Sequence, residues 1–247
     1  MRKKLMGVFI AMILVISLSL SGCGSSSDPN TLRMATNAEF PPFEFWQNDE
    51  IVGIDVDLAR AIATKLGYEL IVDDMDFNAI IPAVMSGRAD FGGAAMSVTP
   101  DREKQVDFSI SYFQGIQVVV VQENSTIQTP DDLTGKLIGV VTGFTGDFFV
   151  TDDFGEDSVQ RFNRGAEAIQ SLSQGKIDAV VLDDQAAKQF VNAMGGLRIL
   201  DSNYVEEDYS FAFRRGSDLV ERFNQAITEL KADGTFDQII QKYLHEN

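Results

Sequence analysis

Histidine and cysteine are almost missing from this 247-residue chain, where His245 and Cys23 each stand alone. Ser–His and Cys–His catalysis both require an imidazole beside the nucleophile. His245 sits at the C-terminal end, where chains usually fray, so no catalytic residue is expected. Zinc and most transition-metal sites need clustered His or Cys ligands, so no metal is expected either. A lone Cys forms no internal disulfide. Positive charge is scarce as well: 20 Lys and Arg face 37 Asp and Glu, a net of −17. That balance argues against nucleic acid, whose phosphates demand a basic face. Nucleotide signatures are missing too. Gly139, Gly143 and Gly146 do not fit G-x-G-x-x-G, and no Gly-Lys-Ser/Thr follows them. Asp90-Phe91-Gly92 copies a kinase triplet without any of its companion motifs. No spacing singles out two carboxylates as a glycosidase pair, and no repeat of solenoid period occurs.

What is present begins with an export address. Arg2, Lys3 and Lys4 precede an apolar run over residues 5–20, then Leu20-Ser21-Gly22-Cys23 and a flexible Gly24-Ser25-Ser26-Ser27. A basic start, an apolar stretch and small residues before a cut describe a signal segment. The run is slightly shorter than a spanning helix of ~18–20 residues, and the only Cys falls directly after its small residues. Residues 25–30 read as a polar tether.

From residue 32 onward, short apolar runs alternate with amphipathic stretches. Residues 32–36 and 70–72 read as strands. Asp55 is placed to cap a helix carrying Val56, Ala59, Ile62 and Leu66, stopped by Gly67. Phe77, Ile80, Ile81, Val84 and Met85 share one helical face that ends at Gly87, with Pro82 near the first turn. The rhythm restarts after residue 130: strands at 136–141, 159–162 and 178–182 alternate with helices after 142–146, over 166–175 and over 185–194. A β-branched run over 116–121 separates the two halves and reads as a buried strand. A last strand is expected at 209–213. A long helix follows, with Asp218 and Glu221 as its capping box, then a short helix after Gly234. This order predicts two α/β units in series, joined by extended strands, with a ligand cleft between them.

Three segments carry chemistry. Ala38-Glu39-Phe40-Pro41-Pro42-Phe43-Glu44-Phe45 is an aromatic, proline-stiffened turn that serves either to pack the core or to wall a cleft mouth. Met96-Ser97-Val98-Thr99-Pro100-Asp101-Arg102 sets a Ser at a strand end and an Arg shortly after a Pro. Together they can grip one carboxylate, because guanidinium matches it bidentately; an Arg on a helix is otherwise a surface residue. The glycines at 143 and 146 can expose backbone N–H groups to an anion.

Taken together, the segments resemble the family 3 solute-binding proteins of ABC-type amino-acid importers. The residues carrying the likeness are Ala35-Thr36-Asn37-Ala38-Glu39-Phe40-Pro41-Pro42-Phe43, Val52-Gly53-Ile54-Asp55-Val56-Asp57-Leu58, Asp76-Phe77-Asn78-Ala79-Ile80-Ile81-Pro82, Met96-Ser97-Val98-Thr99-Pro100-Asp101-Arg102, Val106-Asp107-Phe108-Ser109, Lys176-Ile177-Asp178-Ala179-Val180-Val181 and Ala232-Asp233-Gly234-Thr235-Phe236. The resemblance implies a two-lobed, type II periplasmic-binding-protein fold with two hinge strands, without a cofactor. Lobe one is expected at 31–115 and 207–247, lobe two at 116–206, after a lipoprotein signal peptide (1–22) and a tether (23–30). The motif at Cys23 resembles a lipobox, which implies diacylglyceryl attachment there and anchoring on the outer face of the cell membrane. Arg102, with the backbone near Ser97 and Thr145, is implied to hold the ligand's α-carboxylate. Asp183 and the carbonyl near Ala95 hold its α-ammonium, and Phe40 and Phe77 sandwich its side chain. Asn37, Met96, Thr142 and Gly146 complete the implied set. The implied partners are a small amino acid and an importer permease, with the chain a monomer. A polar amino acid is favoured among polar, cationic and sulfur-containing ones. Asn37 stands where relatives for cationic amino acids often carry Asp, with Glu39 nearby to compensate. Phe144 and Gly146 stand where a small polar residue and Gln are usual. A dehydratase-like enzyme and a sensory ligand-binding domain are the alternatives on this scaffold.

Overall fold

The computed structural model describes residues 30–244. The expected signal segment, Cys23, the tether apart from Asn30, and His245 lie outside them. Within them the chain forms two α/β lobes, each built on its own sheet, with a small hairpin sheet beside the first.

In lobe one, β1 (Thr31–Thr36) is followed by the small sheet β2 (Glu39–Phe40), β3 (Glu44–Gln47) and β4 (Glu50–Val52). Then come α1 (Ile54–Leu66), β5 (Glu69–Asp74), α2 (Phe77–Ser86), β6 (Phe91–Gly92), the short α3 (Pro100–Glu103) and β7 (Val106–Phe108). The chain passes along β8 (Phe113–Gln122) into lobe two, which holds β9 (Ile138–Val141), α4 (Thr145–Phe154), β10 (Val159–Phe162), α5 (Gly165–Ser173), β11 (Ala179–Asp183), α6 (Asp184–Met194) and β12 (Leu197–Ile199). It returns along β13 (Val205–Tyr209) to β14 (Ala212–Arg214), α7 (Leu219–Ala232) and α8 (Thr235–Leu244).

The first sheet runs β5-β1-β6-β14-β7 and the second β10-β9-β11-β8-β12, with β13 also paired to β8. β1 lies parallel to β5 and β6, and β9 lies parallel to β10 and β11. Both sheets are buried on two faces, which the strands show by alternation. Val118 and Val120 enter one apolar cluster and Val119 and Val121 another. Leu32 and Met34 likewise separate from Ala35. A strand covered on both faces reads as a continuous β-branched run, which is why 116–121 was legible. The parallel strands β1, β6, β9 and β11 end at Thr36, Gly92, Val141 and Asp183, and the loops after such strand ends are where α/β sheets bind ligands.

Two antiparallel strands, β8 and β13, carry the chain between lobes, with Phe113 opposite Tyr209 and Gln117 opposite Val205. Phe43 of lobe one closes on this crossing, its ring 5.0 Å from Phe113 and 5.5 Å from Tyr209. Gly115 is required there: a methyl group would fall 2.3 Å from the Tyr209 ring.

Four expectations change. The strand expected at 209–213 is two strands, because the chain leaves the second sheet at Tyr209 and joins the first at Ala212. Asp55 does not cap α1. Gly53 does so at φ 133, where a Cβ would collide with the Phe43 carbonyl, and Asp55 is buried in the first turn. Asp218 occupies the N-cap of α7 without a side-chain bond, in helical geometry rather than the extended geometry a capping box needs. Pro82 is the sixth residue of α2, a turn deeper than expected. Gly67 and Gly87 end their helices in left-handed geometry as anticipated.

Candidate functional site

Arg102 lies at the centre of the cleft. Thr99 caps α3 by accepting the Arg102 backbone N–H, and Pro100 presets the first helical turn. The side chain is thereby held inward at 6% exposure. Its Nη1 donates to the Ser97 carbonyl at 2.7 Å and its Nη2 donates across the cleft to the Gly143 carbonyl at 3.1 Å. Those bonds engage two of the five donors a guanidinium carries. The plane lies over the Phe77 ring, 5.2 Å from its centroid. Burial pulls the Arg102 pKa down to about 10, opposed by nearby Glu207.

Glu207, on β13, is a partner that sequence reasoning missed. It accepts the Thr145 hydroxyl at 2.7 Å and the Gln117 amide at 3.0 Å, and Ser97 also bonds to it. Burial raises its pKa, and those hydrogen bonds and Arg102 pull the other way. A signal was available: Glu206-Glu207-Asp208 puts three acids in a strand, which acids disfavour.

Asp183 ends β11 and caps α6, accepting the Gln185 N–H at 3.0 Å. It is 1% exposed. The Tyr209 hydroxyl donates to it. Burial lifts its pKa to about 7, against the Tyr209 bond and with repulsion from Asp184. Two further buried carboxylates lie on the lobe-one side. Asp55 accepts the Ala95 N–H at 2.8 Å and the Tyr112 hydroxyl at 2.6 Å, and burial raises it to about 7. Glu44 is pushed well above the usual carboxylate range by burial and then by repulsion from Asp55 and Asp183. Glu44 thus lies within electrostatic reach of both other acids. Ala95, held at φ 43, turns its N–H toward Asp55.

The lobes meet at several points. Asn78 of α2 donates to the Thr142 carbonyl at 3.4 Å, and Arg164 pairs with Glu39 at 2.9 Å. Gly143, at φ 80, lets Asn78 approach: a Cβ there would lie 2.0 Å from the Asn78 oxygen. Phe144 touches both Phe40 and Phe77, with centroids at 5.5 and 4.5 Å.

Two cavities flank this contact. One, of about 720 Å³, is lined by Phe77, Met96, Arg102, Thr145 and Glu207 among others. The other, of about 400 Å³, is lined by Asn37, Glu39, Asp76, Phe77, Thr142, Phe144, Arg164 and Glu167. Both volumes suit a small metabolite. Of the expected site residues, Phe77, Met96, Arg102 and Thr145 therefore gather along the first cavity, and Asn37, Phe77 and Thr142 along the second. Phe40, Ala95, Ser97, Gly146 and Asp183 line neither. Asn37 spends its amide on the Met75 carbonyl at 3.1 Å, and the Thr142 hydroxyl turns to the Phe162 carbonyl at 3.1 Å. Among the described residues no cluster of His, Cys, Asp and Glu could hold a metal, and no helix is long and apolar enough to cross a membrane.

The profile of the bacterial extracellular solute-binding proteins, family 3, matches residues 32–246. The arginine-binding extracellular protein ArtP of Bacillus subtilis (strain 168) is 35% identical over 239 residues, covering 92% of this chain and 93% of that protein. A probable histidine-binding protein of Campylobacter jejuni is 36% identical over 220 residues, covering 86% and 84%. Among solved structures, an ancestral arginine-binding protein bound to arginine superposes with a TM-score of 0.81 at 43% identity, covering 87% of this chain and 98% of its own. An ancestral arginine-binding protein bound to glutamine gives 0.83 at 41%, covering 89% and 100%.

Proposed function

This chain belongs to the bacterial extracellular solute-binding proteins, family 3, and we propose that it clasps the zwitterion of a cationic amino acid between its lobes and delivers it to an ABC importer. It is a binding protein rather than an enzyme. The observation carrying the reading is the buried guanidinium of Arg102, which lines the larger cavity and reaches between the lobes to the Gly143 carbonyl, with a second buried charge, Asp183, at the end of β11. Arg102 lies beside Glu207, which is bonded to Gln117, the ladder partner of Asp183 on β8. A zwitterion needs one fixed charge of each sign. Either charge left buried alone is costly, so the ligand biases the hinge toward closure. Arg102 and the N–H groups opening α4 at Thr145 and Gly146 hold the carboxylate. Asp183, with the Ala95 carbonyl, holds the ammonium.

The choice of a cationic amino acid over the polar one favoured from sequence rests on charge. The second cavity carries Glu39, Asp76 and Glu167 against Arg164, a net negative end for a ligand's cationic tip. Arginine- and histidine-binding relatives agree with that choice. We place lobe one at residues 31–115 and 207–247 and lobe two at 116–206, the cuts falling within β8 and β13. Leu20-Ser21-Gly22-Cys23 supports lipid attachment at Cys23 and tethering on the outer face of the membrane, where the chain acts as a monomer. A thermal-shift screen over the common amino acids tests the proposal, because a ligand of the native state raises Tm. Arginine, lysine or histidine raises it most; no shift with any amino acid contradicts it.

A further inference from the structure

Phe40 and Phe77 come from lobe one, where the sequence reading has them sandwich the ligand's side chain. A third ring meets both. Phe144, from the turn between β9 and α4 of lobe two, stands edge-on to Phe40 (5.5 Å, 79°) and tilted over Phe77 (4.5 Å, 50°). Phe77 is contacted in turn by the Arg102 guanidinium, so one ring carries both Phe144 and a planar cation. The local chain is shaped to deliver Phe144. Gly143 adopts φ 80 just before it. Phe144 itself occupies the N-cap of α4, with no side-chain cap bond, at a position where Ser, Thr, Asn or Asp is favoured. The helix forgoes a cap and gains an aromatic ring in the cleft.

We infer that Phe144 is a specificity-determining residue: its ring packs in the slot against Phe40 and Phe77, where the ligand's side chain is to lie, and yields only to a side chain that replaces its stacking. The inference rests on the reading of the chain as an amino-acid binder. A ligand entering the slot forfeits the contacts of Phe144 with Phe40 and Phe77. A planar, delocalised cation restores them by stacking, as arginine or histidine does. The compact ammonium of lysine, on its flexible stem, restores less. Phe144 therefore sets the preference for planar over non-planar cations.

Calorimetry of wild type, Phe144→Ser and Phe144→Leu with arginine, histidine and lysine tests this. Phe144→Ser is expected to tighten lysine binding and to lower the ratio of planar to lysine affinities by about tenfold, the worth of two aromatic contacts. Phe144→Leu keeps apolar bulk but not stacking, and is expected to lose the preference as well. It also gives the reading if the Ser variant does not fold. Wild-type binding with an unchanged ratio in the variants overturns the role of Phe144 alone. Wild type binding none of the three amino acids overturns the proposed function, and this inference with it.

Discussion

Lowering the pH from 8 to 5 weakens amino-acid binding by about a hundredfold. Asp183 must be ionised to hold an ammonium, yet burial holds its pKa at about 7. The groups facing it are the Tyr209 hydroxyl, the Gln185 and Ala186 N–H groups, Asp184 and, across the crossing, Glu44. None supplies a cation. Two pH units below that pKa about one molecule in a hundred carries the charge. Binding then costs about 2.7 kcal/mol more, at 1.36 kcal/mol per unit. Arginine as the ligand holds its own charges across this range. Calorimetry in buffers of differing ionisation enthalpy reads both the affinity and the proton count, and close to one proton leaves per ligand bound at pH 6. The sign reverses for the ligand-free chain. Folding raises Asp183 from its ordinary 3.8, so its contribution to stability is complete below about pH 4 and is lost as pH rises through about 7. That contribution is on the order of 4 kcal/mol. Asp55, also raised to about 7, acts in the same direction. The ligand-free Tm therefore falls from pH 5 to pH 8 while the ligand-induced rise in Tm grows. An affinity independent of pH over this range refutes the assignment of Asp183 as a buried ammonium partner.

Arg102→Ala is expected to weaken binding at least a hundredfold in calorimetry, since it removes a buried, charge-assisted grip. The far-UV spectrum stays that of the wild type. Gly143→Ala places a Cβ 2.0 Å from the Asn78 oxygen and strains a left-handed turn, so closure is impeded. Affinity falls roughly tenfold, and Asn78→Ala in the same chain recovers part of that loss; full affinity in the single variant shows that the Asn78–Gly143 approach is dispensable.

How far the sequence could be read depended on whether a signal was local. Gly67 and Gly87 end helices by a rule confined to one turn, and Val118–Val121 is a β-branched run because both faces of β8 are covered. Arg102 and Ser97 were legible together because Thr99-Pro100 starts a helix that brings both onto one bond. The buried acids were not. Glu44, Asp55 and Glu207 look like any of the many surface carboxylates, and only the third dimension sets them against Tyr112, Ala95, Thr145 and Gln117. The break at Ser210-Phe211 was hidden for a similar reason: the apolar pattern continues while the chain changes sheets. Asp55 and Asp218 carry good capping residues, but Asp55 is claimed by a partner 40 residues away in sequence and Asp218 already has helical geometry. Phe144 stood out in sequence only as a departure from the small polar residue usual in the resembled family, and its two ring partners come from the opposite lobe.

Where a bound amino acid lies decides between these charges and any other site. A crystal structure of the chain grown with arginine measures it. The account predicts the α-carboxylate against the Arg102 guanidinium and the first N–H groups of α4, the α-ammonium against Asp183, and the guanidinium toward Glu39. Arginine bound outside the space between the lobes, or with its carboxylate away from Arg102, contradicts it.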